Sequence, residues 1–264
     1  MRNPASVISL LKECLPMTVT ALRRRILFFT AVVVTGWLTA LAAPPTKLSE
    51  VASTDDLLAE VAARLSEIEQ ALASAESYRE RLDSMRRSAT HLALCAQALA
   101  EHEADSKLKQ SGPDLRDAAF AIARSRSYEE ATKTLPILKA AAEGKFSGTA
   151  TVEHDWSKLA RLGSVMSAMK SRSESLRRAM RKPGNPIEDS RHATAIALLA
   201  LVAHGNAHAV KDPADKPRWQ ELSLEVQRHF TQASTAIKAR DESAADHFRL
   251  GMEACNTCHE KFKG

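Results

Sequence analysis

The sequence predicts an all-α protein, built as two tandem antiparallel four-helix bundles after an N-terminal signal or anchor segment. Three observations predict it. Ala, Leu, Ser, Glu, Lys and Arg dominate, while aromatic residues make up 5% and glycine occurs 9 times in 264 residues, a composition that suits helix interiors. Runs of β-branched residues bounded by turn signals, which would announce strands, are not found. Apolar residues recur at steps of three and four almost without break after residue 57, the spacing that lines one face of a helix.

In chain order, residues 1–42 read as an address. Arg23, Arg24 and Arg25 precede an apolar stretch over residues 26–43 that contains Ala40-Leu41-Ala42, the small-x-small pattern of a secretory cleavage site. Export to a periplasmic location follows, and a start at Met17 would give the leader the usual proportions. The alternative is an uncleaved membrane anchor, since about 18 apolar residues approach the length that spans a bilayer.

The first bundle is expected over residues 50–142. Leu57, Val61, Leu65, Ile68 and Leu72 form one helical stripe, and residues 87–102, 114–124 and 128–142 supply three more helices, with Ser111-Gly112-Pro113 as the clearest break. A single long coiled coil over residues 55–105 is the rival, because no Gly or Pro interrupts them. Residues 143–150, with Gly144, Ser147 and Gly148 and no periodic apolar face, read as a linker. The second bundle, residues 151–264, opens with the seam Leu159, Leu162, Met166, Met169, Ser173, Leu176, Met180, which ends before Pro183-Gly184-Asn185-Pro186. Residues 196–203 are apolar all round, the next helix turns Trp219, Leu222, Val226, Phe230, Ala233 and Ile237 inward, and a last helix runs over residues 242–263. The halves resemble each other, with Asp56-Leu57 matching Asp155-Trp156, and Leu94, Ala98, Leu99 and His102 matching Ile196, Ala200, Leu201 and His204; a duplication is the expected origin.

The formal charge of +5 invites a nucleic-acid reading, but residues 1–42 hold five basic residues and one acid, which leaves about +1 on the remainder. That is too little for phosphate recognition, so no nucleic-acid partner is expected. Of four cysteines, Cys14 belongs to the leader and Cys95 reads as a small buried hydrophobe. The other two stand in Cys255-Asn256-Thr257-Cys258-His259, the C-x-x-C-H signature of covalent c-type haem. On a helix the two cysteines share a face with Cβ atoms about 5–6 Å apart, so both sulfurs can reach one porphyrin edge, and His259 can turn under the iron as proximal ligand. A thioredoxin-like centre would need the pair at a helix N-terminus in a βαβ setting, and a zinc site would need a second ligand pair. Phe248, Met252, Cys255, His259 and Phe262 follow one helical stripe, so haem c, one per chain, would lie inside the bundle.

With the run Ala254-Cys255-Asn256-Thr257-Cys258-His259-Glu260-Lys261-Phe262-Lys263 near the C-terminus, and Trp219, Phe230, Ala233 and Arg240-Asp241 upstream, residues 155–264 resemble the cytochromes c′. The resemblance implies an exported four-helix bundle with haem on its last helix, and dimers formed through the first two helices. Residues 50–142 lack the motif and would be a haem-free copy, giving either a homodimer or an internal pseudo-dimer. It also implies a sixth iron position that is open or covered by an apolar side chain from the first helix, with a Met from that helix as the alternative ligand. Arg161 in the family's register points to Val165, whereas the Met spacing points to Met166, with Met169 nearby; Val165, Met166, Met169, Met252 and Phe262 are the expected pocket residues.

His204 and His208, spaced by four, read as cap or surface histidines, as do His91, His102, His192, His229 and His247. Lys261 reads as a solvated helix end, and Lys263 as that or as a docking residue for an acidic redox partner. No catalytic dyad is evident, so the chain reads as a non-enzyme that carries single electrons to a redox partner protein or binds a small diatomic ligand. A structural or sensing module, in which the haem-free half mediates partner binding, is the other functional class.

Overall fold

The computed structural model describes residues 44–262; the leader expected over residues 1–42 lies outside them. The described residues are all-helical, with eight α-helices: α1 Thr54–Ala71, α2 Ala75–Glu101, α3 Gly112–Arg124, α4 Tyr128–Ala142, α5 Leu162–Arg181, α6 Pro186–Gly205, α7 Lys216–Ala239 and α8 Ala244–Phe262. None of them is long and apolar enough to cross a membrane.

Most helix starts are set by small polar caps. Ser53 and Asp56 close a reciprocal capping box on α1. Ser74, Ser127 and Asn185 each accept a backbone N–H with their side chains at the starts of α2, α4 and α6. Ser74 overturns the long coiled coil: the chain breaks after Ala71 without Gly or Pro, because a serine there satisfies the N–H of Ser77 and restarts the helix. Consequently α2 begins at Ala75, twelve residues before the expected start. Ser111-Gly112-Pro113 is a helix start, with Pro113 in the first turn, where a missing N–H costs nothing. The stretch after α4 turns on Gly144 and Gly148, both at positive φ (89° and 73°) where a Cβ would be strained.

Packing follows chain order. α1 lies on α2, α2 on α3 and α3 on α4, with α1 also touching α4; in the second half α5 lies on α6, α6 on α7 and α7 on α8. One apolar core runs through both halves, from Leu48 to Cys258. α2 and α6 are its centre: Leu94, Ala98 and Leu99 on the first and Ile196, Ala200 and Leu201 on the second are all buried. Residues 151–156 are strapped to the first half. Buried Arg116 donates to Gln97 Oε1 at 2.6 Å and to the Thr151 carbonyl at 3.0 Å, Gln97 donates to the Val152 carbonyl at 2.9 Å, and Trp156 Nε1 donates to Glu101 at 2.8 Å.

A buried polar cluster joins the halves. Glu60 of α1, 1% exposed, lies 3.2 Å from His91 Nε2 of α2, 3.4 Å from Arg64 Nε and 3.3 Å from Arg172 of α5. Arg172 also stands 3.3 Å from His192 Nδ1 of α6. Nearby, Lys238 of α7 pairs with Asp56 of α1. Burial alone would raise the Glu60 carboxyl, but His91, Arg172 and Arg64 hold it at about 2; burial pushes His91 and His192 down, with the arginine charges adding to it. Glu60 is thus the anion, and both imidazoles are neutral at pH 7. His91, expected at a cap or surface position, is buried within α2, whereas His102 is a cap residue as expected, although buried. His91 is drawn in by Glu60, and the ring of His102, at the C-cap of α2, contacts the Ala52 carbonyl at 3.0 Å.

Candidate functional site

Trp219 of α7, whose indole donates to the Ala203 carbonyl at 2.7 Å, packs edge-to-face on Phe262 of α8 with centroids 5.4 Å apart. Both rings line a cavity of about 720 Å³ to which all four helices of the second half contribute, a size within the usual ~300–1,000 Å³ of cofactor pockets. α8 packs on α7 but not closely on α5, and the cavity occupies the space left there. Its walls are Leu162, Met166 and Met169 from α5, Ile196 and Ala200 from α6, Trp219, Leu222, Val226 and Phe230 from α7, and Met252 and Phe262 from α8.

Cys255, Cys258 and His259 all line this same cavity. α8 puts them there because Gly251, one turn earlier, lets it press against α7: a Cβ on Gly251 would stand 2.7 Å from Phe230 Cε2. Cys258 is buried, Cys255 half-buried and His259 exposed at the cavity edge. Burial pushes the Cys255 thiol up to about 12 and raises that of Cys258 as well, the latter against the opposing charge of Arg218. The pair sits in the last two turns of α8, where the helix dipole opposes a thiolate. Both facts are contrary to what a disulfide-exchange centre needs. They suit two protonated thiols on an apolar wall.

Among the expected pocket residues, Met166, Met169, Met252 and Phe262 line the cavity. Val165 does not. It is fully buried and, with Ala168, Leu199 and Val202, lines a second, smaller cavity whose other wall is Arg86, Arg87, Thr90, His91 and Leu94 of the first half. Of the two registers, the one pointing to Met166 puts a side chain on the cavity of Cys255, Cys258 and His259, while Val165 faces the smaller cavity shared with the first half. Trp219, Leu222, Val226 and Phe230 were legible as an inward stripe, but their role as cavity wall was not. Lys261, expected to be a solvated helix end, is exposed and paired with Asp215 at 2.6 Å. His204 is half-buried at the end of α6 and His208 exposed. Among the described residues no cluster of three or more His, Cys, Asp or Glu side chains converges as a metal site. Cys95 is fully buried, and burial raises its thiol far out of the reactive range.

No protein-family model, curated protein or solved structure matches this chain.

Proposed function

We propose that this chain is an exported c-type haem protein that transfers single electrons or binds a diatomic gas at a bundle-enclosed haem. The observation that carries the reading is the convergence of Cys255, Cys258 and His259 on one apolar-walled cavity of about 720 Å³. Cys255 and Cys258 would hold the haem as thioethers, and His259 would be its proximal ligand. Haem, when bound, supplies a one-electron iron couple and a coordination position for a small ligand. The chain's own residues do the rest: Trp219, Phe230, Met252 and Phe262 exclude water and keep the site's dielectric low, and Met166 stands on the α5 wall.

The resemblance of residues 155–264 to cytochromes c′ supports the same reading, with two tandem four-helix bundles of which only the second carries haem. The first half then acts as a built-in companion of the haem bundle, an internal pseudo-dimer. What supports this is the pairing of Glu60 with Arg172 and of Asp56 with Lys238 across the joint. The basic, apolar, small-residue order of residues 1–42 supports export.

The test is expression in a host with a cytochrome-maturation apparatus, followed by peroxidase staining on a denaturing gel. The full chain should stain, and Cys255→Ser with Cys258→Ser should not. A wild-type protein that folds but neither stains nor absorbs visible light overturns the proposal.

A further inference from the structure

Charge in this chain is segregated. Residues 158–182 carry eight basic residues and one acid, whereas the rest of the chain beyond residue 42 carries 24 basic and 30 acidic residues. Five of the eight, Lys170, Arg172, Arg177, Arg178 and Arg181, lie on α5, one wall of the cavity, together with the one acid, Glu174; the near-neutral total therefore hides a basic segment centred on that helix in a chain that is otherwise acidic. Lys170 lines the cavity itself and is exposed at its edge. Arg177, Arg178 and Arg181 continue along α5 and are exposed, and Arg177 reaches over the Phe248 ring of α8 at 5.8 Å. From Lys170 to Arg181 the stripe runs about 17 Å at 1.5 Å per residue.

These charges are not consumed internally. Among the described residues, no carboxylate lies within 4 Å of Lys170, Arg177, Arg178 or Arg181. The contrast with their neighbours is direct. Arg172, on the same helix, turns inward to Glu60 at 3.3 Å; Arg249 on α8 is held by Asp246 at 3.6 Å and Glu253 at 2.8 Å; and Lys261 is held by Asp215 at 2.6 Å. Holding several unpaired cations along one helix costs self-repulsion, and the stripe begins where the cavity opens.

We propose that the exposed basic face of α5, Lys170, Arg177, Arg178 and Arg181, docks the acidic surface of an electron-exchanging protein beside the cavity mouth. The inference rests on the haem reading and adds to it the partner's sign and its place of contact. Unpaired charge of one sign near a low-dielectric opening focuses the field and raises encounter rates with an oppositely charged partner by about 10–1,000-fold, an effect that salt erases. The transfer itself moves one electron from iron(II) to the oxidant, leaving iron(III) and an oxidant reduced by one, with no bond made or broken.

The experiment uses the full, haem-loaded chain, reduced, in a stopped-flow spectrometer against two oxidants of opposite charge, hexacyanoferrate(III) and tris(phenanthroline)cobalt(III). A third arm mixes the oxidised, iron(III) chain with flavodoxin semiquinone, a small acidic protein that gives one electron to the iron and is itself left as the oxidised flavin. Oxidation by the anion and reduction by flavodoxin semiquinone should be at least about tenfold faster at low salt than at about 0.5 M, and the cation should show the opposite trend. Arg177→Glu with Arg178→Glu and Arg181→Glu should abolish or invert these trends while leaving the haem spectrum and melting temperature unchanged. Rates indifferent to salt, or unchanged in the variant, overturn the docking face. So does binding of the wild type, but not the variant, to phosphatidylglycerol vesicles with no response to flavodoxin, which would make the stripe a lipid surface. A colourless protein overturns both this inference and the haem reading; a coloured protein whose kinetics ignore α5 overturns the docking face alone.

Discussion

Arg172 of α5 lies 3.3 Å from Glu60 of α1, although 112 residues separate them along the chain. The guanidinium is largely buried and the carboxylate almost wholly so, so the pair bridges the two halves where water cannot compensate either charge.

Removing one member should therefore cost more than a surface ion pair would. Arg172→Ala is expected to destabilise the chain by about 3 kcal/mol, the low end of the ~3–5 kcal/mol for stranding a buried charge, since Arg64 remains beside Glu60. Urea unfolding of Arg172→Ala, Glu60→Gln and the double variant measures it. Additive losses from the two single changes would contradict a direct pairing.

The same cluster sets an acid limit. Burial pushes His91 and His192 below the ordinary imidazole range, so below about pH 6.5 the unfolded chain takes up protons that the folded chain refuses, and stability falls with pH. Glu60, held at about 2, adds a second loss as pH drops through the ordinary carboxylate range towards that value. Thermal melts should be level above pH 7 and decline steadily below 6.5. His91→Gln should flatten the upper part of that decline; an unchanged slope would remove His91 as its source.

Met166 lines the cavity from α5; under the proposed haem reading it would cover one face of the haem rather than ligate the iron. Met166→Leu should leave the ferrous spectrum and carbon monoxide binding intact, changing the rate of gas entry by only a fewfold. Conversion from a low-spin to a high-spin spectrum on substitution would show that the thioether ligates the iron.

Gly251→Ala should be costly out of proportion to one methyl group. Its Cβ would meet Phe230 at 2.7 Å, and overpacking of this kind costs about 1–3 kcal/mol. Because Phe230 and the motif line the same cavity, the haem-to-protein ratio should drop along with the melting temperature. A fully loaded, equally stable variant would mean that α8 shifts freely against α7.

Legibility varied with burial. The fourth helix begins and ends where the sequence places it, Tyr128–Ala142, because Ser127 caps it and Gly144 follows. The start of α2 was hidden because the stretch from Ala75 to Arg87 is charged and mostly exposed, so its helical period leaves little mark in hydropathy. The register of α5 could not be decided along the chain: Val165 and Met166 are adjacent and apolar, about 100° apart on the helix, and only the first half, packed on the Val165 side, distinguishes them. Glu60 did carry a signal, standing on the Leu57–Val61 face of α1 where a charge needs a buried partner. Arg64 lies one turn on and His91 on the next helix, but the partner that crosses the joint, Arg172, lies more than a hundred residues away, on a helix no local pattern connects to Glu60.

Because one apolar core threads both halves and Glu60 takes its counter-charges from either side of the joint, neither half can open without exposing the other's interior. The expected calorimetric signature is a single cooperative peak rather than two overlapping ones.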